Sequence, residues 1–279
     1  MLTSQSIAVR IANTITSQYN QNVTMIFVGG TGSGKSYAAM SLALEVAKRV
    51  AKIKGGKSSD YFDPSKNMSV IDIMKFFTVL DRAQKWNTVI LDDAGIGVNA
   101  RKFMDEINIT INNITQTYRT LNLFTILTVP EMFFIDKILR SLTDFYCEME
   151  GMFKPNISKG RLFEIQRKSR LGSSGKLFYV YPRGNAEKSV NILFEKPPED
   201  ICVVYDKLRE EGALEYKKKS ITALENSSNE IKENKISTAL ETERRIRQGD
   251  DPVEIADDLH IAVKTVLGTV SALKRTKAI

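Results

Sequence analysis

At 279 residues and 42% hydrophobic content, the chain suits one large domain or a medium domain with a small appendage, and it is too apolar for general disorder. Its two cysteines, Cys147 and Cys202, lie far apart and exclude a disulfide framework or a zinc site, and the single histidine, His260, leaves no basis for Ser-His or Cys-His nucleophilic chemistry. A net charge of +7 permits nucleic acid as a partner without requiring it, and no run approaches the roughly 18–20 apolar residues of a membrane span, so a reducing, cytoplasmic setting is expected.

In chain order, residues 4–20 read as a helix, with Ile7, Ile11 and Ile15 recurring every four positions. Residues 23–28 form a short apolar run that reads as a buried strand, and 36–53 read as a helix with Ala, Leu and Val on one face. A loop at 55–67 precedes a helix at 71–83 and a second buried strand at 88–91. A helix at 104–118, a third strand at 123–129 stopping at Pro130, a helix at 135–142 and a strand at 145–149 follow. Buried strands alternating with helices predict a parallel sheet covered on both faces.

Beyond residue 150 the pattern changes. Residues 161–166 and 176–181 are strand-like around the turn residues of LGSSG, which predicts a basic hairpin at about 160–183. Pro197 and Pro198 punctuate, 199–211 read as a helix, and 217–236 as a charged helix or linker. The division expected is a core at 1–199, a helical linker at 200–236 and a small three-helix unit at 237–279.

The segment GGTGSGKS fits G-x-x-x-x-G-K-[ST] at Gly29, Gly34, Lys35 and Ser36, and it stands between a strand and a helix as that motif requires. Glycines let the backbone turn its N–H groups inward onto phosphate oxygens, and the helix dipole adds partial positive charge there. Gly29, Gly30, Thr31, Gly32, Ser33, Gly34, Lys35, Ser36 and Tyr37 are the expected nucleotide contacts. Lys35 reaches the β- and γ-phosphates, and the Ser36 hydroxyl is a magnesium ligand. The segment VILDDAG delivers a carboxylate at a strand tip, where open α/β sheets bind ligands. Asp92 is the expected magnesium-side acid, and Asp93 the group that polarises the attacking water, with a capping or solvated aspartate as its alternative. Thr128, at the tip of the third strand, is either a γ-phosphate or water contact or a buried threonine bonded to backbone. Arg119, ahead of that strand, is either an arginine finger for a neighbouring subunit or a structural arginine. ATP is expected over GTP because no N-K-x-D signature is present.

Together GGTGSGKS, VILDDAG, YRTLNLFTILTVPE and FIDKILRSLTDFYCEM resemble the FtsK–HerA class of P-loop ATPases over about residues 20–150, with some likeness to zonula-occludens-toxin-like phage ATPases. The resemblance implies a RecA-like sheet with an extra strand between the P-loop and Asp92 strands. It also implies a ring, commonly a hexamer, that hydrolyses ATP between subunits and pulls duplex DNA. Carried onto this chain, the roles fall on Lys35, Ser36, Asp92, Asp93, Thr128 and Arg119. Asp93 stands where glutamate is usual, and Thr128-Val129-Pro130 where many members have a threonine–glutamine pair.

Two segments are candidates for nucleic acid. In the C-terminal unit, Pro252 follows the caps Asp250 and Asp251, Ile255, Ala256 and Leu259 make one apolar face, and Val263, Val266, Val270 and Leu273 are expected to face inward on the next helix. That arrangement resembles a helix-turn-helix, with Lys264 and Thr265 on the reading face and Lys274 and Arg275 meeting phosphates; a protein-contact module is the alternative. In the hairpin, Arg167, Lys168 and Arg170 crowd one strand end. Residues 151–199 hold ten Lys/Arg against four Asp/Glu, so this part of the chain concentrates the positive charge. These features lead to an expected ATP-driven DNA-handling motor, with an ATP-switched DNA-binding regulator and a weakly hydrolysing nucleotide-binding scaffold as rivals.

Overall fold

The computed structural model describes residues 2–93, 118–131, 143–166, 176–179 and 190–275. The expected helices at 104–118 and 135–142 fall almost wholly outside them, as do Arg167, Lys168 and Arg170. Two compact units are present, Met1–Tyr216 and Lys217–Ile279. No described helix is long and apolar enough to cross a membrane.

The first unit is built on a nine-stranded sheet. Its strands are β1 (Leu2–Thr3), β2 (Val23–Val28), β3 (Met68–Val70), β4 (Thr88–Asp92), β5 (Phe124–Val129), β6 (Phe145–Lys154), β7 (Ile157–Gln166), β8 (Lys176–Tyr179) and β9 (Val190–Glu195). They lie in the order β1-β9-β7-β6-β2-β5-β4-β3, with β8 paired to β7. The run β6-β2-β5-β4-β3 is parallel throughout. Strand β5 therefore separates the P-loop strand β2 from the Asp92 strand β4, the RecA-like α/β arrangement expected from the sequence.

Continuous apolar runs suit strands covered on both faces. Met25, Phe27, Ile90 and Ile126 point into one core with helices α1 (Ser4–Ile15) and α2 (Lys35–Lys54). Their chain neighbours Ile26, Val28, Val89, Leu91 and Leu127 point the other way, against Ile73, Phe76 and Leu80 of helix α4 (Ile73–Arg82). A single turn, α3 (Pro64–Asn67), capped by Asp63, leads into β3, a strand the hydropathy pattern does not announce.

Beyond β6 the sheet continues with antiparallel pairings added to the expected parallel part. Strands β6 and β7 form an antiparallel hairpin closed at Pro155-Asn156, with Asn156 at φ +63°. Proline followed by a left-handed asparagine suits a tight turn. The sequence reading stops the first strand at 149 because Gly151 and two register shifts interrupt its alternation. One edge of β7 is shared, since Ile157–Leu162 pair with β9 and Phe163–Gln166 pair with β8. The latter is the expected hairpin, now seated on the main sheet.

Helix α5 (Glu199–Gln248) is one unbroken helix of 50 residues, so the stretch read as a charged helix or linker is helical. It ends in a Schellman-type stop: Asp250 N–H donates to Arg245 O, Gly249 N–H donates to Ile246 O, and Gly249 has φ +90°. Within the second unit, α6 (Pro252–Asp258) is capped by Asp251, and α7 (Val263–Arg275) follows a short turn in which His260 has φ +54°. Ile255, Ala256 and Val266 form the small core, packed by Ile246, Leu259 and Ile261. Val263 is exposed rather than inward-facing, because only Val266 and Leu273 of α7 are fully covered.

Candidate nucleotide site

Strand β2 ends at Val28, the loop Gly29–Gly34 follows, and α2 begins at Lys35. Gly34 occupies the N-cap with φ +85°, and a Cβ there would lie 2.9 Å from Ser158 Cβ, so no other residue fits. A Cβ on Gly29 would lie 2.7 Å from Ser33 Oγ, whereas Gly30 and Gly32 border open space. The buried Lys35 ammonium turns back into the loop, donating to Gly29 O at 2.7 Å and Gly30 O at 2.9 Å. Ser33 Oγ is buried without a hydrogen-bond partner among the described residues. A buried hydroxyl without a partner is costly, and it sits in a loop whose lysine is also available to an anion. Thr31 at the loop's tip is exposed.

Parallel register carries the other residues to the same end of the sheet. Phe27 pairs with Thr128, and Leu91 pairs with Leu127, so Thr128 stands between the P-loop strand and Asp92. The Thr128 hydroxyl donates to Asp92 Oδ1 at 2.6 Å and accepts the Asp93 N–H at 2.8 Å. Thr128 therefore bonds both the Asp92 carboxylate at the tip of β4 and the backbone N–H of the residue after it. Asp93 has φ +50°, a left-handed conformation that aspartate adopts more readily than most residues, and it turns the chain sharply just past Asp92. Ser36, in the first turn of α2, is half-buried and near enough to Asp92 to help hold its pKa down.

Sequence reasoning missed Tyr205. Its hydroxyl, on α5, donates to Asp92 Oδ2 at 2.8 Å. The Tyr37 ring, an expected nucleotide contact, meets the Tyr205 ring edge to face at 5.9 Å. The available signal was a tyrosine on the apolar stripe of Ile201, Cys202, Tyr205 and Leu208, because a buried tyrosine hydroxyl needs a partner. Full burial raises the Asp92 pKa, and the Asp93 charge raises it further; bonds from Thr128, Tyr205 and Ser36 oppose both. Burial also raises the Tyr205 pKa, with the Asp92 charge second, so its hydroxyl stays a proton donor at neutral pH.

The backbone of Arg119 opens a 3-10 turn, Arg119–Leu121, immediately before β5. Lys264, Thr265, Lys274 and Arg275 are all exposed on α7 in the second unit.

Neither a protein-family model nor a curated protein sequence matches the chain. Among solved structures, the N-terminal domain of zonular occludens toxin from Neisseria meningitidis is similar at 13% identity over 66% of this chain and 97% of that one, with a TM-score of 0.34. A KaiC-like protein from Pyrococcus horikoshii is similar at 14% identity over 64% and 90%, with a TM-score of 0.32. ATPases 2 and 3 of EssC from Geobacillus thermodenitrificans are similar at 12% identity over 77% and 42%, with a TM-score of 0.24. At that level of likeness none of the three bears on function.

Proposed function

We propose that the chain is a magnesium-dependent P-loop ATPase that acts on DNA. The observation that carries the ATPase reading is a glycine loop closed by Gly34 and the buried Lys35 at the start of α2, with Asp92 two strands away at the same end of the sheet. Ser36 and Asp92 fit a magnesium ion in the manner usual for that ion, through few protein oxygens with phosphate and water supplying the rest. Among the described residues no cluster of three or more His, Cys, Asp or Glu gathers elsewhere to hold a metal. When bound, magnesium neutralises charge on the β- and γ-phosphate oxygens.

The chain's own residues supply the remaining functions in this reading. Loop amides and Lys35 Nζ hold the triphosphate, with Lys35 exchanging its two carbonyl partners for phosphate oxygens. Thr128 holds the backbone between Asp92 and Asp93. Asp93, one residue beyond the metal-side acid, is the group assigned to orient the attacking water. Arg119 is assigned as a finger acting on a neighbouring copy, which requires a homo-oligomer such as a ring.

DNA as the partner is supported by the exposed Lys264, Thr265, Lys274 and Arg275 on the last helix of a compact helical pair joined by a short turn. That same pair favours a second reading, in which nucleotide switches site-specific DNA binding. Turnover with and without long duplex DNA separates them. A motor shows hydrolysis stimulated by duplex of any sequence, and Lys35→Ala lowers it about 100-fold or more, as loss of preorganised charge does. A switch shows tight binding at one site and little stimulation. Absence of Mg-ATP binding by the wild-type chain would overturn the ATPase reading altogether.

A further inference from the structure

A carboxylate offers about four lone-pair positions. On Asp92 the Thr128 hydroxyl takes one at Oδ1 and the Tyr205 hydroxyl takes one at Oδ2. Two hydroxyls thus clamp one fully enclosed acid, one on each oxygen. Thr128 comes from the end of β5, which the sheet register itself places there. Tyr205 comes from α5, 113 residues beyond Asp92 in sequence.

The first turns of α5 are seated closely enough to hold that hydroxyl in place. Gly212 lies so near β3 that a Cβ would sit 2.7 Å from Val70 O. Glu215 pairs with Lys75 at the start of α4, and the Tyr37 ring braces the Tyr205 ring. Packing alone would be served equally by phenylalanine, yet the hydroxyl is buried and directed at the carboxylate.

We propose that Tyr205 is a positioning residue for magnesium: its hydroxyl fixes the orientation of the Asp92 carboxylate, the acid assigned to the metal side. This rests on the ATPase reading above. Partners of metal-side ligands that hold them in orientation are worth about 10–100-fold in metal affinity.

The test uses the full chain, with Mn2+ as a spectroscopic probe of the metal site in the presence of ATP, and ATP binding in EDTA measured calorimetrically. Tyr205→Phe weakens Mn2+ binding about tenfold or more while leaving metal-free ATP affinity within about twofold. Leu208→Ala loosens the same helix face without touching the hydroxyl, and it leaves Mn2+ affinity within about twofold. Unchanged Mn2+ affinity in Tyr205→Phe overturns the inference. So does an equal loss of metal-free ATP binding, or a Leu208→Ala variant that reproduces the Mn2+ loss, because either makes the tyrosine a packing residue. A wild-type chain that binds ATP neither with nor without metal overturns the ATPase reading instead.

Discussion

The Thr128 hydroxyl bridges two strand-tip groups, giving its proton to Asp92 Oδ1 at 2.6 Å and accepting the Asp93 amide at 2.8 Å. Thr128→Val keeps the shape and removes both bonds, leaving a buried carboxylate oxygen and an amide short of a partner. Denaturant unfolding should show a loss of about 1–3 kcal/mol. Thr128→Ser should recover most of it. A threonine acting only on phosphate would instead lose turnover with no change in stability.

Gly34→Ala should fail for two separable reasons. Its φ of +85° costs an L-residue about 1–2 kcal/mol, and its Cβ would meet Ser158 at 2.9 Å. Adding Ser158→Gly should relieve the contact and not the backbone strain. Thermal unfolding of the single and double variants measures the two parts, and both variants should bind ATP more weakly than wild type.

Asp92→Asn should separate stability from function. Burial raises the Asp92 pKa above its unfolded value, so the ionised form is a net cost to the metal-free fold. The sign follows directly. Below the ordinary carboxylate range both states are protonated and the variant gains little. As pH rises from there through the raised folded value, wild type loses stability that the asparagine variant keeps. Asparagine offers one oxygen where the carboxylate offers two, so the variant gives up one hydroxyl bond at every pH; the stability difference between variant and wild type should nevertheless move in the variant's favour as pH rises. Its Mn2+ binding should be abolished. Equal thermal midpoints across pH would contradict the burial argument.

Charge reversal at Lys274 and Arg275 tests the DNA reading. Both are exposed in the last turn of α7. If each meets a phosphate, the Lys274→Glu, Arg275→Glu double variant should reduce the slope of log affinity against log salt by about 2. ATP turnover without DNA should be unchanged. An unaltered salt slope would remove this helix from the DNA surface.

Much of the nucleotide site was legible because its signals are local. Glycine spacing, a strand before the loop and a helix after it lie within a few tens of residues. An apolar run ending in two aspartates names β4 and its tip by hydropathy alone. The C-terminal turn was equally readable, since Asp251 capping Val253 N–H and Pro252 in the first turn are neighbours in the chain. Strand β6 was cut short because Gly151 and two bulges break the alternation on which a strand is read. Val263 was misjudged because helical period gives a face and not its width.

Backbone sterics and hydropathy act over a few residues, and those alone determined the loop, the strands beside it and the acid at their tips. Which strands became neighbours, where β7 divides its edge between β8 and β9, and which hydroxyls enclose Asp92 were decided only by tertiary packing. Tyr205 illustrates the difference: its helix is plain in the sequence, but the carboxylate it bonds is brought to it by the sheet register and by the close seat of Gly212 on Val70.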